Sequence, residues 1–163
     1  MIIINKSRYL KYKNLKFRCA LGKNGIKIKK REGDNITPKG SYKIVKVYYR
    51  KDRIKKISTR IRCDNIKKNM GWCDDPKSKK YNKLIKLPTQ YNHEKLYRKD
   101  NIYDLILVLN YNMRPVIKDK GSAIFIHVAS KNYKPTQGCI SLKKKDLTKI
   151  LSLLTKKTKV LIN

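Results

Sequence analysis

The stretch Tyr103-Asp-Leu-Ile-Leu-Val-Leu109 carries a continuous apolar run, and a run of that make-up reads as a strand buried on both faces. Ala123 to Val128 reads as a second strand of the same kind. The other segments are shorter. Leu15 to Leu21, Gly25 to Lys29 and Ser41 to Tyr48 alternate or are rich in Ile, Val and Tyr. Breaks at Gly22, Gly25, Gly33 and Gly40 separate them, so the opening third reads as a β-meander. From Lys51 to Gln90 the pattern is irregular and polar, punctuated by Gly71, Pro76 and Pro88, with one apolar piece at Leu84 to Leu87. It reads as a loop-rich insertion of the kind that often carries substrate contacts. A short helix is expected after Asn92. Asp146 is expected to cap another, with Leu147, Ile150, Leu151 and Leu154 on one stripe and Lys156 and Lys157 at its C-terminus. Val160 to Ile162 closes the chain as a strand. The expectation is one domain over residues 1–163, mainly β with a few short helices, α+β by loose count.

No apolar run reaches the ~18 residues of a membrane span. Met1 to Asn5 is apolar for only four residues before Lys6, Arg8 and Lys11, against roughly 7–15 for the core of an export signal. No export signal is therefore read from the sequence. The formal net charge of +32 suits a polyanionic partner. A bland account competes with it: the cations are overwhelmingly Lys, spread through the chain with abundant Asn and Ile, as A/T-rich coding produces. Cys19, Cys63, Cys73 and Cys139 form no CxxC pair, and two histidines are too few to complete a zinc site, so no metal or other cofactor is expected. Cys63 and Cys73 are within reach of a disulfide across a loop in an oxidising compartment, which the sequence leaves open.

Chemistry concentrates in Ile124-Phe-Ile-His127 and, after a polar loop, Pro135-Thr-Gln-Gly-Cys139-Ile-Ser-Leu142. A histidine ends one strand and a Gly-Cys pair opens another apolar segment, which is the arrangement that brings an imidazole beside a thiol. A neighbouring imidazolium would lower the thiol pKa and populate the thiolate, the nucleophilic species. Gly138 leaves room for a substrate carbonyl at the backbone, where the Cys139 N–H would help hold an oxyanion. Against this stands the reading of Cys139 as a small buried hydrophobe and His127 as a satisfied strand-end histidine.

The pattern resembles the L,D-transpeptidase (YkuD-type) catalytic domain family, in which an apolar strand ends in His and is followed by Ser or Thr, a variable residue, Gly-Cys and an apolar residue. His127, Thr136, Gln137, Gly138, Cys139 and Ile140 stand in that order. Upstream, Gly33-Asp-Asn-Ile-Thr37-Pro38-Lys-Gly40-Ser-Tyr42 is similar to a second element of the family, although Thr37-Pro38 with Gly40 is also an ordinary turn signal. Gly71-Trp-Cys-Asp-Asp-Pro76 and Tyr103-Asp104 resemble one branch of these proteins. The sequence departs from the pattern in a short His127-to-Cys139 interval, in Val128 after the histidine, in Gln137 beside the glycine, and in Ser141 where Arg or Asn is common.

The resemblance implies a YkuD-like β-sandwich. Cys139 would form an acyl-enzyme with a peptidoglycan stem peptide and pass it to an amine, giving a crosslink, or to water. His127 would be the base, and Thr136 would position the imidazole or the loop. Trp72 and Ser141 are the candidate substrate contacts, although a packed aromatic beside a turn suits Trp72 as well. His93 is expected to be solvated. The resemblance implies the periplasm or cell wall, while the absence of a visible signal also fits the cytoplasm. Two rivals stay open: a highly basic nucleic-acid-binding protein, and a thiol hydrolase acting on another amide or ester.

Overall fold

In the computed structural model, which describes residues 1–163, the period-2 alternation of the strands decides which side chains meet. The strands are β1 (Ile2–Asn5), β2 (Tyr9–Tyr12), β3 (Leu15–Ala20), β4 (Ile26–Lys27), β5 (Thr37–Pro38), β6 (Gly40–Tyr49) and β7 (Cys63–Asn65). They continue with β8 (Met70–Cys73), β9 (Leu84–Lys86), β10 (His93–Lys95), β11 (Leu105–Leu109), β12 (Phe125–Val128) and β13 (Ile140–Leu142). Helix α1 (Lys144–Leu153) and strand β14 (Lys159–Ile162) end the order.

Eight strands run in the order β11-β12-β13-β3-β2-β1-β14-β6, and β6 pairs with β11 to close the ring, with β7 attached to β6. The mainly β character is as expected, and the strands join in one closed, barrel-like sheet. The cause lies in β6, which is long enough to use both edges. Gly40 to Lys43 pair with β14, and Ile44 to Tyr49 pair with β11. The register shifts between Val108 and Leu109, where Leu109 faces Ile44 and Val108 faces Lys46. That bulge adds one residue to β6, so Ile44 and Val47, three apart, both reach the same core.

The ring encloses the larger core. Ile2 and Ile4, Leu10 and Tyr12, Phe17 and Cys19, Ile126 and Val128, Ile140 and Leu142, and Val160 and Ile162 each fall two apart and join it. Leu147, Ile150, Leu151 and Leu154 of the α1 stripe join the same cluster. In β11 the alternation splits a continuous apolar run: Leu105, Leu107 and Leu109 go to the ring core, while Ile106 and Val108 go to a second cluster with Tyr48, Trp72, Leu96, Tyr103, Phe125 and Cys139. The second face expected of a doubly buried strand is therefore covered by the β8 side of the molecule. There β10, β8 and β9 form a separate three-stranded sheet.

Three local expectations change. The segment after Asn92 is strand β10, not a helix, because its residues pair in register with β8, His93 with Cys73 and Lys95 with Gly71. Lys143, not Asp146, holds the N-cap position of α1, with φ −55° and ψ 141° and no side-chain cap. Asp146 lies in the first turn instead. Lys156 and Lys157 fall beyond the C-cap, Leu154, so α1 has no basic residue in its last turn and is the one helix present. Residues 51–90 carry β7, β8 and β9 between their loops. No helix is long and apolar enough to cross a membrane.

Candidate active site

Strands β12 and β13 lie parallel, with Ile126 opposite Ile140, His127 opposite Ser141 and Val128 opposite Leu142. Since Ile126, Val128, Ile140 and Leu142 point into the ring, the intervening His127 and Ser141 lie on its outer face together with Phe125 and Cys139. His127, Ser141, Thr136, Gln137 and Cys139 line one cleft of about 660 Å³. Alternation in two neighbouring strands thus brings the imidazole and the thiol to one surface.

The turn that delivers Cys139 is held from within. Thr136 Oγ1 donates to the Cys139 carbonyl at 2.6 Å and accepts from the Gly138 N–H at 3.2 Å. Thr136 itself is anchored by backbone bonds, its N–H to the Leu21 carbonyl and its carbonyl to the Lys23 N–H, both 2.9 Å. Gly138 has φ +137°, and a Cβ there would stand 2.9 Å from the Ile36 carbonyl oxygen, so glycine is required both for its backbone and for the close approach. Both side-chain bonds of Thr136 go to the loop, and none goes to the His127 imidazole. The Thr37-Pro38 element buttresses the same region: buried Thr37 accepts the Gly22 N–H at 2.8 Å, and Gly22 bridges to Thr136.

Cys139 is buried, and its Sγ donates to the Ala123 carbonyl at 3.0 Å and receives the Phe125 N–H at 3.4 Å. His127 is buried as well, with Nδ1 2.9 Å from the Val128 carbonyl. A carbonyl only accepts, so Nδ1 carries the hydrogen and Nε2 is left as the basic nitrogen. Burial pushes the Cys139 thiol far up, with Glu94 adding to the effect. Burial pulls His127 down to about 4, against the opposing pull of the Val128 carbonyl. The pair therefore rests as neutral thiol and neutral imidazole. This reverses the expected thiolate–imidazolium resting state, because burial penalises both charged forms.

The cleft holds residues that motif reading did not single out as site residues. Tyr103 stands edge-on to the His127 ring, with centroids 5.4 Å apart, and its hydroxyl donates to Glu94, whose carboxyl is pushed up by burial. Arg98 lies 5.3 Å over the Tyr103 ring and grips Asp100 at 2.9 and 2.7 Å. His93 also lines the cleft, with Nδ1 2.7 Å from the Tyr91 carbonyl, and it is half-buried where a solvated side chain was expected. Their signal was faint: only Tyr103 stood in a recognisable motif. Trp72 does not line the cleft. It is buried in the second core, 5.2 Å edge-on from Phe125, with its indole N–H donating to Asn82 at 3.0 Å. All four cysteines are free thiols, including Cys63 and Cys73.

The fold and site define a compact β domain whose closed sheet carries a buried thiol and a buried imidazole in one outer cleft. A family model for the L,D-transpeptidase catalytic domain (YkuD) matches residues 1–162, and the chain belongs to that family. Its members are L,D-transpeptidases, acyltransferases that act on peptidoglycan peptides. No curated protein shows a significant match to the chain.

Proposed function

We propose that the chain is a cysteine acyltransferase of L,D-transpeptidase type, in which Cys139 attacks an amide of a peptidoglycan stem peptide and His127 is its base. What supports this assignment is the placement of Cys139 and His127 in one cleft on adjacent strands, with Thr136 and Gly138 setting the turn between them. The thiol proton passes from Sγ to Nε2 of His127 as sulfur bonds to the carbonyl carbon. The resulting oxyanion is met by the Cys139 N–H, which donates to no acceptor within the protein. The amine then leaves with the proton held by His127, and a thioester remains. An incoming amine or water attacks the thioester, gives its proton to His127, and the sulfur recovers one on collapse. The first outcome is a crosslink, the second a hydrolysis.

Because both groups rest neutral, proton transfer and attack occur together only once substrate excludes water and the oxyanion is held. The whole of residues 1–163 acts as one catalytic domain; within the segment 51–90, Ile54 and Ile61 join the ring core while Ile66 and Trp72 cover the outer face. The place of action is the cell wall or periplasm, where such peptides occur.

The deciding experiment is intact-protein mass after incubation with a carbapenem, on the parent and on Cys139→Ala. A one-to-one adduct on the parent that is absent from the variant is expected. A folded parent that gains no mass, or a variant that still does, would overturn the assignment of Cys139 as the acylated nucleophile. A preference for peptides with D-configured residues after the cleaved bond separates this reading from a general thiol hydrolase.

A further inference from the structure

The cleft around Cys139 does not end at its rim. Ile102 and Ser130 line it and also line a neighbouring cleft of about 840 Å³, whose walls include Arg18, Lys131, Tyr133 and Lys143. The charges there are unbalanced. Arg18, Lys131 and Lys143 take part in none of the ion pairs of the molecule, whereas Asp100, the one acid on the lining, is already held by Arg98. Lys144, also on the wall, is committed to Asp104 at 3.0 Å. Three cations outside any ion pair and no free carboxylate on the lining give a concave surface of positive potential adjoining the cleft that holds the thiol.

Two features select among anions. The wall also presents Ile102 and Ala129, which suits the mixed apolar and carboxylate surface of a peptide. Its one aromatic, Tyr133, has the Arg18 guanidinium 4.7 Å over its ring, so that face is not open for stacking a nucleobase.

We infer that this second cleft seats the carboxylates of the peptide whose amide lies at Cys139, so that the protein selects acidic peptides over their amidated counterparts. The inference rests on the reading of Cys139 as a peptide-acylating thiol, but its test does not need the thiol. Fluorescence anisotropy on Cys139→Ala protein would compare a labelled stem-type peptide bearing free carboxylates with its carboxamide analogue, at low and high salt. The acidic peptide is expected to bind about tenfold more tightly, with the advantage shrinking as salt rises. In R18E/K131E that advantage is lost, while the weaker affinity for the carboxamide is unchanged. Circular dichroism checks that the reversed protein is folded; if it is not, R18Q/K131Q replaces it and the advantage is expected to fall about threefold. Equal affinities for the two peptides, or an acidic-peptide affinity that ignores the substitutions, would overturn the proposal. So would an oligonucleotide affinity that falls with R18E/K131E while that of the peptide does not, which would assign the cleft to nucleic acid. A parent protein that takes no carbapenem adduct would instead remove the role of Cys139 and leave the peptide-binding result standing on its own.

Discussion

At Gly138 the backbone tolerates no side chain, since φ +137° is unfavourable for any Cβ and the Ile36 carbonyl oxygen would stand 2.9 Å from it. Gly138→Ala is expected to cost about 1–3 kcal/mol of stability in urea unfolding and to slow carbapenem acylation, because the turn that presents Cys139 shifts. His127 gives a pH signature. Its folded pKa of about 4 lies below the ordinary 6.5, so between those values the unfolded chain binds more protons than the folded one. Stability from this group is complete above pH 6.5 and is lost as pH falls toward 4, by on the order of 3 kcal/mol from the two pKa values. Carboxyls titrate in the same range, so the measurement is the difference between the parent and His127→Gln in denaturant midpoints at pH 7.5 and pH 4. A difference that does not change with pH would contradict the buried neutral imidazole. Cys139, His127, Thr136 and Gly138 were legible in the sequence because they sit within one short stretch whose spacing is itself the signal. Glu94 and Arg98 were not, because β10 and the segment after it reach the thiol only through pairing with β8. The charge state was misread for the same reason: burial is set by the second core, and no local motif reports it.

Among the elements, α1 was legible from its apolar stripe but not from its start. Lys143 stands where Ser, Thr, Asp or Asn would accept an unpaired helix N–H, and Lys144 and Lys145 follow it at the positive end of the helix dipole. Lys143→Ser is expected to raise stability by about 1 kcal/mol, read as a higher melting temperature. The same substitution removes a cation from the second cleft, so stabilisation should come with weaker binding of acidic peptides. Strand β10 shows the opposite failure. Its sequence, His93-Glu-Lys95, has little strand propensity, and it becomes a strand because β8 offers a free edge. The apolar strands β11 and β12 needed no such help, since their composition already demanded burial on both sides.

For the whole molecule, mainly-β character was legible and ring closure was not. Closure depends on β6 changing partners midway and on one extra residue at its bulge, and neither leaves a mark in hydrophobic pattern. Strand β14 pairs on one side with β1 and on the other with β6, so removing residues 159–163 opens the ring between Ile2 and Tyr42. The shortened chain is expected to lose cooperative thermal unfolding, measured by circular dichroism, because apolar β1 is then left as an unpaired edge. The same arrangement sets the order of events during synthesis. Ile2 to Ile4 are made long before their parallel partners Val160 to Ile162, with nearly the whole ring lying between them in sequence. The ring therefore cannot shut until Ile162 has been made, and until then the open edge of apolar β1 depends on its hairpin with β2, or on a chaperone, for cover.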